Sequence, residues 1–332
     1  MTIRIFVPRI TDSDLVTPDE RIIERFLQHN PPSLQHTFCE TSREADLIVL
    51  FQAWSFKQLN YSKKLINDPI FKQHCNKTLV VNYDSTVGQG FIPGCYVSLR
   101  NTSMNSNNST IYSPIAYPKE YNEALFEVNQ QDIKPDYLFG FRGTTHSHII
   151  RKKMFDVLAK SKKGLMVNKT QKFHTHTEEE KLIYAQELKK CKFALCPRGS
   201  SPNSYRLFEA MSVGRCPVII SDEWVEMPKI KWDQFSIRIQ EQDIPNIEKI
   251  LTDQEDKANK LGLEAKKIWQ QHFCEQAKYQ NYLQELLKIH KNMQSKVLTI
   301  NDYKKLWSSH DFKKNNEWLL SQKLMRKINL LH

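Results

Sequence analysis

Residues Phe193–Ile220 read FALCPRGSSPNSYRLFEAMSVGRCPVII, and the order of residue types in this stretch decides the fold class. Phe193 to Cys196 is a short apolar run of buried-strand type. Pro197 to Asn203 is rich in turn formers and ends the strand. Asn203 or Ser204 can cap the helix expected over Tyr205 to Val213. Pro217 to Ser221 is a second buried strand. Strand, loop, helix and strand make one βαβ unit, and the start of its helix offers free N–H groups and a positive dipole end. Arg206 lies in the first turn, where a cation opposes that dipole unless an anion sits in front of it. Glu209 follows at i+3 on the same face, where a carboxylate can accept both hydroxyls of a ribose. The plain alternative is an i,i+3 surface ion pair.

Working outward, the same alternation fills the chain. Arg4 to Val7, Ala45 to Phe51 and Leu79 to Asn82 read as strands, and Asp19 to Gln28 as an amphipathic helix with Thr17 as its cap. Asn101 to Thr110 is a polar loop. After the connector Asn129 to Pro135 the alternation restarts with a strand from Tyr137, helices over Ile149 to Lys160 and Glu178 to Lys190, a short strand at Leu165 to Val167, and a helical, charged C-terminal third beginning at Ile244. Two successive α/β blocks predict two Rossmann-like domains facing a central cleft, with ligands at the carboxyl ends of the strands. The expected boundaries are 1–128 for the acceptor side, 133–290 for the nucleotide side, and 291–332 for a basic helical tail.

The bulk composition narrows the function classes. The chain has 332 residues with a formal charge of +11. Its Lys residues are interspersed with Asp and Glu, which suits a general solvated surface, and no nucleic-acid motif with interleaved aromatics occurs. The seven cysteines include no Cys-x-x-Cys pair, which argues against a disulfide framework or zinc ribbon. The first residues, MTIRIFVPRI, form a strand-like run without the long apolar stretch of a signal peptide or anchor. A cytoplasmic protein is expected.

The pattern CP-x-G, R-x-x-E-A, G-x-x-P-V-I resembles the exostosin family of glycosyltransferases. Tyr137 to Gly143 (YLFGFRG) resembles that family's first strand and glycine loop. Arg151 falls where the family carries an Arg opening the next helix. Asp222 to Ile230 with Pro228, Trp232 to Ile237 (WDQFSI) and Ile244 to Leu251 extend the likeness. It is good over about 135–255 and thin before, where Asn82 to Gly94 (NYDSTVGQGFIPG) matches best. It is absent after about 290.

What this resemblance implies is a GT-B fold and an inverting enzyme of polysaccharide biosynthesis. Such an enzyme moves a sugar from a nucleoside diphosphate, often a UDP-sugar, to a glycan or lipid-linked acceptor. Gly143 and Thr144 would approach the donor phosphates, Arg151 and Arg206 would neutralise the leaving diphosphate, and Glu209 would hold the ribose. The loop Pro197, Arg198, Gly199, Ser200 and Ser201 would touch donor sugar or base. Many retaining GT-B enzymes carry two Glu separated by seven residues, but Ser201 stands where the first would fall.

Asp84, after the strand Leu79 to Asn82, is the candidate general base, with a turn-forming Asp as the alternative. His146 and His148 flank the glycine loop and suit phosphate contact, base or solvated loop. The only Asp-x-Asp, Asp12-Ser13-Asp14, precedes the first helix, and His174 with His176 has no clustered third ligand. No obligatory metal and no cofactor are expected. The tail's apolar component, including Trp307 and Trp318, either packs back onto the protein or docks on an anionic membrane. Two rival readings are a fucosyltransferase-like GT-B enzyme using GDP-fucose and a non-enzymatic basic protein binding nucleic acid.

Overall fold

A computed structural model describes residues 2–8, 20–52, 65–85, 87–104, 108–118, 120–169, 176–293, 298–312 and 315–316. The chain divides into two compact units, one made of the residues up to Pro118 together with those from Lys278 onward, the other of Lys119–Ala277. The first unit opens with β1 (Ile3–Phe6), α1 (Glu20–His29), β2 (His36–Phe38), β3 (Leu47–Gln52), α2 (Pro69–His74), β4 (Thr78–Asn82), β5 (Gly94–Tyr96) and β6 (Tyr112–Pro114). Its strands form one parallel sheet in the order β2-β1-β3-β4-β5-β6. Every residue of LIVLFQ in β3 and TLVVN in β4 is buried, as expected of parallel strands covered on both faces. Helix α1 buries Ile22, Ile23 and Phe26, and the Phe26 ring lies 4.9 Å from that of Phe51. The short β2, β5 and β6 are absent from the sequence reading, because three residues carry too little periodicity to mark a strand.

The second unit runs through α3 (Ala124–Asn129), β7 (Tyr137–Gly143), α4 (Ile149–Leu158), β8 (Gly164–Asn168), α5 (Glu178–Lys189), β9 (Cys191–Pro197), α6 (Tyr205–Ser212), β10 (Cys216–Ile220), β11 (Ile237–Arg238), α7 (Ile247–Thr252) and α8 (Ala258–His272). Its sheet is also wholly parallel, in the order β11-β10-β9-β7-β8. From β7 the chain steps to one edge, then returns to place β9 on the other side of β7. The strand order therefore reverses between β7 and β9, and the loops after these two strands diverge to leave a crevice at their carboxyl ends. Helix α6 stops where the sequence makes it stop. Gly214 takes φ +71°, the Gly214 amide bonds to Met211 O at 3.1 Å, and the Arg215 amide bonds to Ala210 O at 2.9 Å. These two bonds form a Schellman cap, which needs a residue tolerant of left-handed backbone. In the WDQFSI segment, Trp232 packs edge-on against Trp224 at 4.8 Å and its carbonyl accepts from Ser236 Oγ at 2.6 Å.

The chain then returns to the first unit through α9 (Glu275–Met293) and α10 (Ile300–Ser308). The hydroxyls of Tyr279 and Tyr282 donate to Pro118 O at 2.9 Å and Ala116 O at 2.7 Å. Tyr303 and Trp307 of α10 pack on Phe91 at 5.6 Å each. Among the described residues no helix is long and apolar enough to cross a membrane.

The unit boundaries differ from the expected 1–128, 133–290 and 291–332. Helix α3 belongs with the second unit, since Asn129 Nδ2 donates to Ser212 O at 3.0 Å and Lys189 Nζ caps Val128 O at 2.6 Å. The residues from Lys278 belong with the first because the buried face of α9 fits its carbonyls and core, and α10 belongs there as well. The helix expected from Ile244 begins as a 3-10 turn, Glu241–Asn246, where Pro245 lacks the N–H a regular helix needs. Thr17, the Asp12-Ser13-Asp14 triplet, His174 and Trp318 lie outside the described residues.

Candidate active site

The carboxyl ends of β7 and β9 bring the second unit's singled-out residues together. β7 ends in Arg142 and Gly143 and continues into Thr144. β9 ends at Pro197 and continues through Arg198, Gly199, Ser200 and Ser201 to the start of α6. Ser204 occupies the cap position of α6, but its side chain makes no cap bond. The Ser204 amide instead bonds to Asn203 Oδ1 at 2.8 Å.

Arg151 ties the two loops to each other. Its Nε donates to Arg198 O at 3.0 Å, its Nη2 to Pro197 O at 3.4 Å and its Nη1 to Thr144 O at 3.5 Å. A side chain at position 199 would bring a Cβ to 3.0 Å from Arg151 Nη2, so the Gly there permits this close approach. The Gly199 amide bonds to Ser201 O at 3.1 Å, and Ser201 Oγ accepts from the Asn203 amide at 3.1 Å. Ser200 is half-buried. Thr144 Oγ1 lies 3.3 Å from His146 Nδ1, and the carbonyl of Gly143 accepts from the Lys169 amide at 3.0 Å. His148 Nδ1 accepts from the Ile150 amide at 3.3 Å and so caps α4.

Three further arginines stand near this crevice, and their partners distinguish them. Arg142 is paired bidentately with Glu187. Arg198 is 5% exposed, with Nη1 2.6 Å from Glu223 and 3.7 Å from Glu241. The sequence reading put Arg198 in the donor loop; the structure turns its guanidinium onto these two carboxylates, 25 and 43 residues later in the chain. Arg206 is 9% exposed and forms no ion pair among the described residues. Its Nη2 donates to Arg142 O, its Nε is buried without a hydrogen-bond partner, and its guanidinium carbon lies 4.4 Å from the centre of the Phe141 ring. A buried charge without a carboxylate in direct contact is costly, and an aromatic face recovers only part of that cost.

Glu209 is half-buried one turn along α6, and its Oε2 accepts from the hydroxyl of Tyr184 on α5. Burial pushes the Glu209 carboxyl above its usual range, although the Tyr184 hydrogen bond and the Arg206 charge pull it back. Burial likewise raises Glu241, against the charge of Arg198, and pushes the Cys196 thiol up to about 12, which leaves it an inert neutral group. Behind Arg206 a cavity of ≈ 10 Å³ is lined by Phe141, Arg142, Tyr184 and Glu187. It has room for about one water.

Sequence reasoning missed Phe141, Tyr184, Glu187, Glu223 and Glu241. Each reaches the crevice through strand order or a later loop, and no local spacing marks it. Asp84 belongs to the first unit, just past the carboxyl end of β4. The Asp84 amide bonds to Asn82 Oδ1 at 3.1 Å and its carbonyl accepts from Ser98 Oγ at 2.8 Å. His176 lies 3.4 Å from Glu180, and among the described residues no group of three or more His, Cys, Asp or Glu could hold a metal ion.

Comparison with known proteins adds an independent observation. A model of the exostosin GT47 domain matches residues 54–253. A probable glucuronosyltransferase of Oryza sativa subsp. japonica is 39% identical over 77 residues, which cover 22% of this chain and 18% of that protein. A probable beta-1,4-xylosyltransferase of Arabidopsis thaliana is 39% identical over 72 residues, covering 21% and 17%. The matched stretch thus spans less than a fifth of these relatives. Among solved structures, Anabaena HepE in complex with UDP gives a TM-score of 0.39 at 11% identity, covering 86% of this chain and 99% of that one.

Proposed function

We propose, from the premise that this chain belongs to the exostosin GT47 family, that it is an inverting glycosyltransferase using a nucleoside diphosphate sugar, with UDP as the carrier. The observation that carries the reading is Arg206, a buried guanidinium with no ion pair among the described residues, in the first turn of α6 at the carboxyl edge of a parallel sheet. Breaking the bond between sugar and phosphate leaves negative charge on the diphosphate. Arg206 and the positive dipole end of α6 answer that charge without reorganising. Arg151 holds the loops of Thr144 and Gly199 in register for the same phosphates, and Glu209 accepts from the ribose. Arg198, neutralised by Glu223 and Glu241, shapes the loop and leaves the anion to Arg206.

The acceptor is a glycan or glycoconjugate hydroxyl, and Asp84 is the base assigned to it. The relatives' names, glucuronosyl- and xylosyltransferase, make a glucuronosyl or xylosyl donor the first to test.

A thermal-shift screen of UDP, GDP and other nucleoside diphosphates against the full chain tests the reading. At a hundredfold excess over Kd, a ligand stabilises by about 2.7 kcal/mol, a readily measured shift. UDP is expected to bind, and Arg206→Ala to weaken it roughly 10- to 100-fold, the value of one lost charge-assisted contact. Equal binding by Arg206→Ala would remove the central support. A GDP preference would favour a fucosyl donor.

A further inference from the structure

Tyr184 is the point at which the two recognising side chains of the crevice meet. It lies in α5, whose start is fixed by a capping box between Thr177 and Glu180. Its hydroxyl donates to Glu209 Oε2, and its ring centre lies 5.8 Å from the guanidinium carbon of Arg206. Among the described residues Tyr184 is the sole hydrogen-bond donor to the Glu209 carboxylate. An ionised carboxylate has about four lone-pair sites, so one bond from Tyr184 leaves enough for two ribose hydroxyls.

The geometry points to Tyr184 as a positioning residue for nucleotide recognition, its hydroxyl fixing the rotamer of Glu209 toward the ribose diol while its ring helps seat Arg206. This inference rests on the nucleotide reading of the site. The two tasks are chemically separable, because the hydroxyl serves Glu209 and the ring serves Arg206. Burial holds the Tyr184 phenol well above its ordinary range, so it stays a donor at any working pH. A neutral donor lowers the cost of ionising a buried carboxylate without adding a charge that would compete for the phosphate. A Lys in its place would have answered Glu209 with a full ion pair and taken lone pairs from the ribose.

The test is calorimetric titration of the full chain with UDP and 2′-deoxy-UDP, with the GDP pair run alongside. The wild type is expected to prefer the ribose form. Tyr184→Phe keeps the ring and loses the hydroxyl. It should weaken UDP roughly tenfold, the scale of a hydrogen bond to a charged group, and leave 2′-deoxy-UDP nearly unchanged, so that the preference collapses. Tyr184→Leu, which also removes the ring, should weaken both. Glu209→Gln should lose the preference too, and the double variant Tyr184→Phe with Glu209→Gln should be no worse than Glu209→Gln alone. Should Tyr184→Phe fold poorly, Tyr184→Leu still decides through the ratio of the two affinities, because it too lacks the hydroxyl and should lose the ribose preference. An unchanged ribose preference in Tyr184→Phe, or an equal loss for both nucleotides, overturns the proposal. A wild type that binds UDP without regard to the 2′-hydroxyl overturns it and spares the nucleotide reading. A wild type that binds neither UDP nor GDP overturns both.

Discussion

At the scale of single residues, the crevice is organised by which charges are cancelled and which are not. Arg142 and Arg198 are neutralised by carboxylates, whereas Arg206 is left with a carbonyl and an aromatic face. Glu209 is the matching group of opposite sign, and burial raises its carboxyl above the ordinary 4.5. When a folded pKa is raised, the group favours folding fully below its unfolded value. That contribution disappears as pH rises through the folded value. Glu209→Gln removes the penalty of ionising a buried carboxyl. The variant should therefore gain stability relative to the wild type as pH climbs above 4.5, and the gap should become constant below it. Urea unfolding of both proteins between about pH 4 and pH 8 measures this, and a gap independent of pH would refute it. The sign for ligand is opposite. Protonating Glu209 costs it an acceptor, so UDP should bind the wild type more weakly on acidification through the same window.

At the scale of elements, α5 shows how local sequence prepares a distant site. Thr177 Oγ1 accepts from the Glu180 amide at 3.2 Å, and Glu180 Oε2 accepts from the Thr177 amide at 3.2 Å. Three glutamates fill the first turn, where the helix dipole favours them. Thr177→Ala should cost about 1 kcal/mol, the usual value of such a cap, read as a lowered urea midpoint. A midpoint equal to the wild type's would show that tertiary packing alone sets the start of α5. The existence of α5 is legible in the sequence, and so are β7, β9, α6 and β10, because each carries its own periodicity and punctuation. The neighbourhood of Arg206 and Glu209 with the Gly143 loop is legible only through the family resemblance. Tyr184 was illegible, since its role depends on β7 lying between β8 and β9. The ion pairs of Arg198 were illegible too, because its carboxylates come from the segment between β10 and α7.

At the scale of the whole chain, the first unit is closed by its last described residues. Asn316 is 5% exposed, and its Oδ1 accepts from the amides of Gly88 at 3.0 Å and Gln89 at 3.2 Å. Asn315 Nδ2 adds a bond to Gln89 Oε1 at 2.9 Å. The loop so held is the one that begins at Asp84, and Asn316 lies well beyond the stretch that matches the exostosin family. Asn316→Ala should speed amide exchange at Gly88 and Gln89 on the order of 10- to 100-fold, as expected when two buried donors lose their acceptor. Asn316→Asp, which keeps an acceptor oxygen, should retain most of the protection, and amides of the second unit should not respond. Identical exchange in the Ala variant would show that the loop holds itself.

This clamp spans 228 residues of sequence, from Gly88 to Asn316. A ribosome adding about 5–20 residues per second needs roughly ten to fifty seconds to cover that distance. The second unit is contiguous in the chain and has all its strands long before then. Birth order therefore runs against chain order: the unit whose strands emerge first is the one completed last. A chain released from the ribosome after Ala277 would carry every element of the second unit and, tethered to it, a first sheet still lacking its final helices.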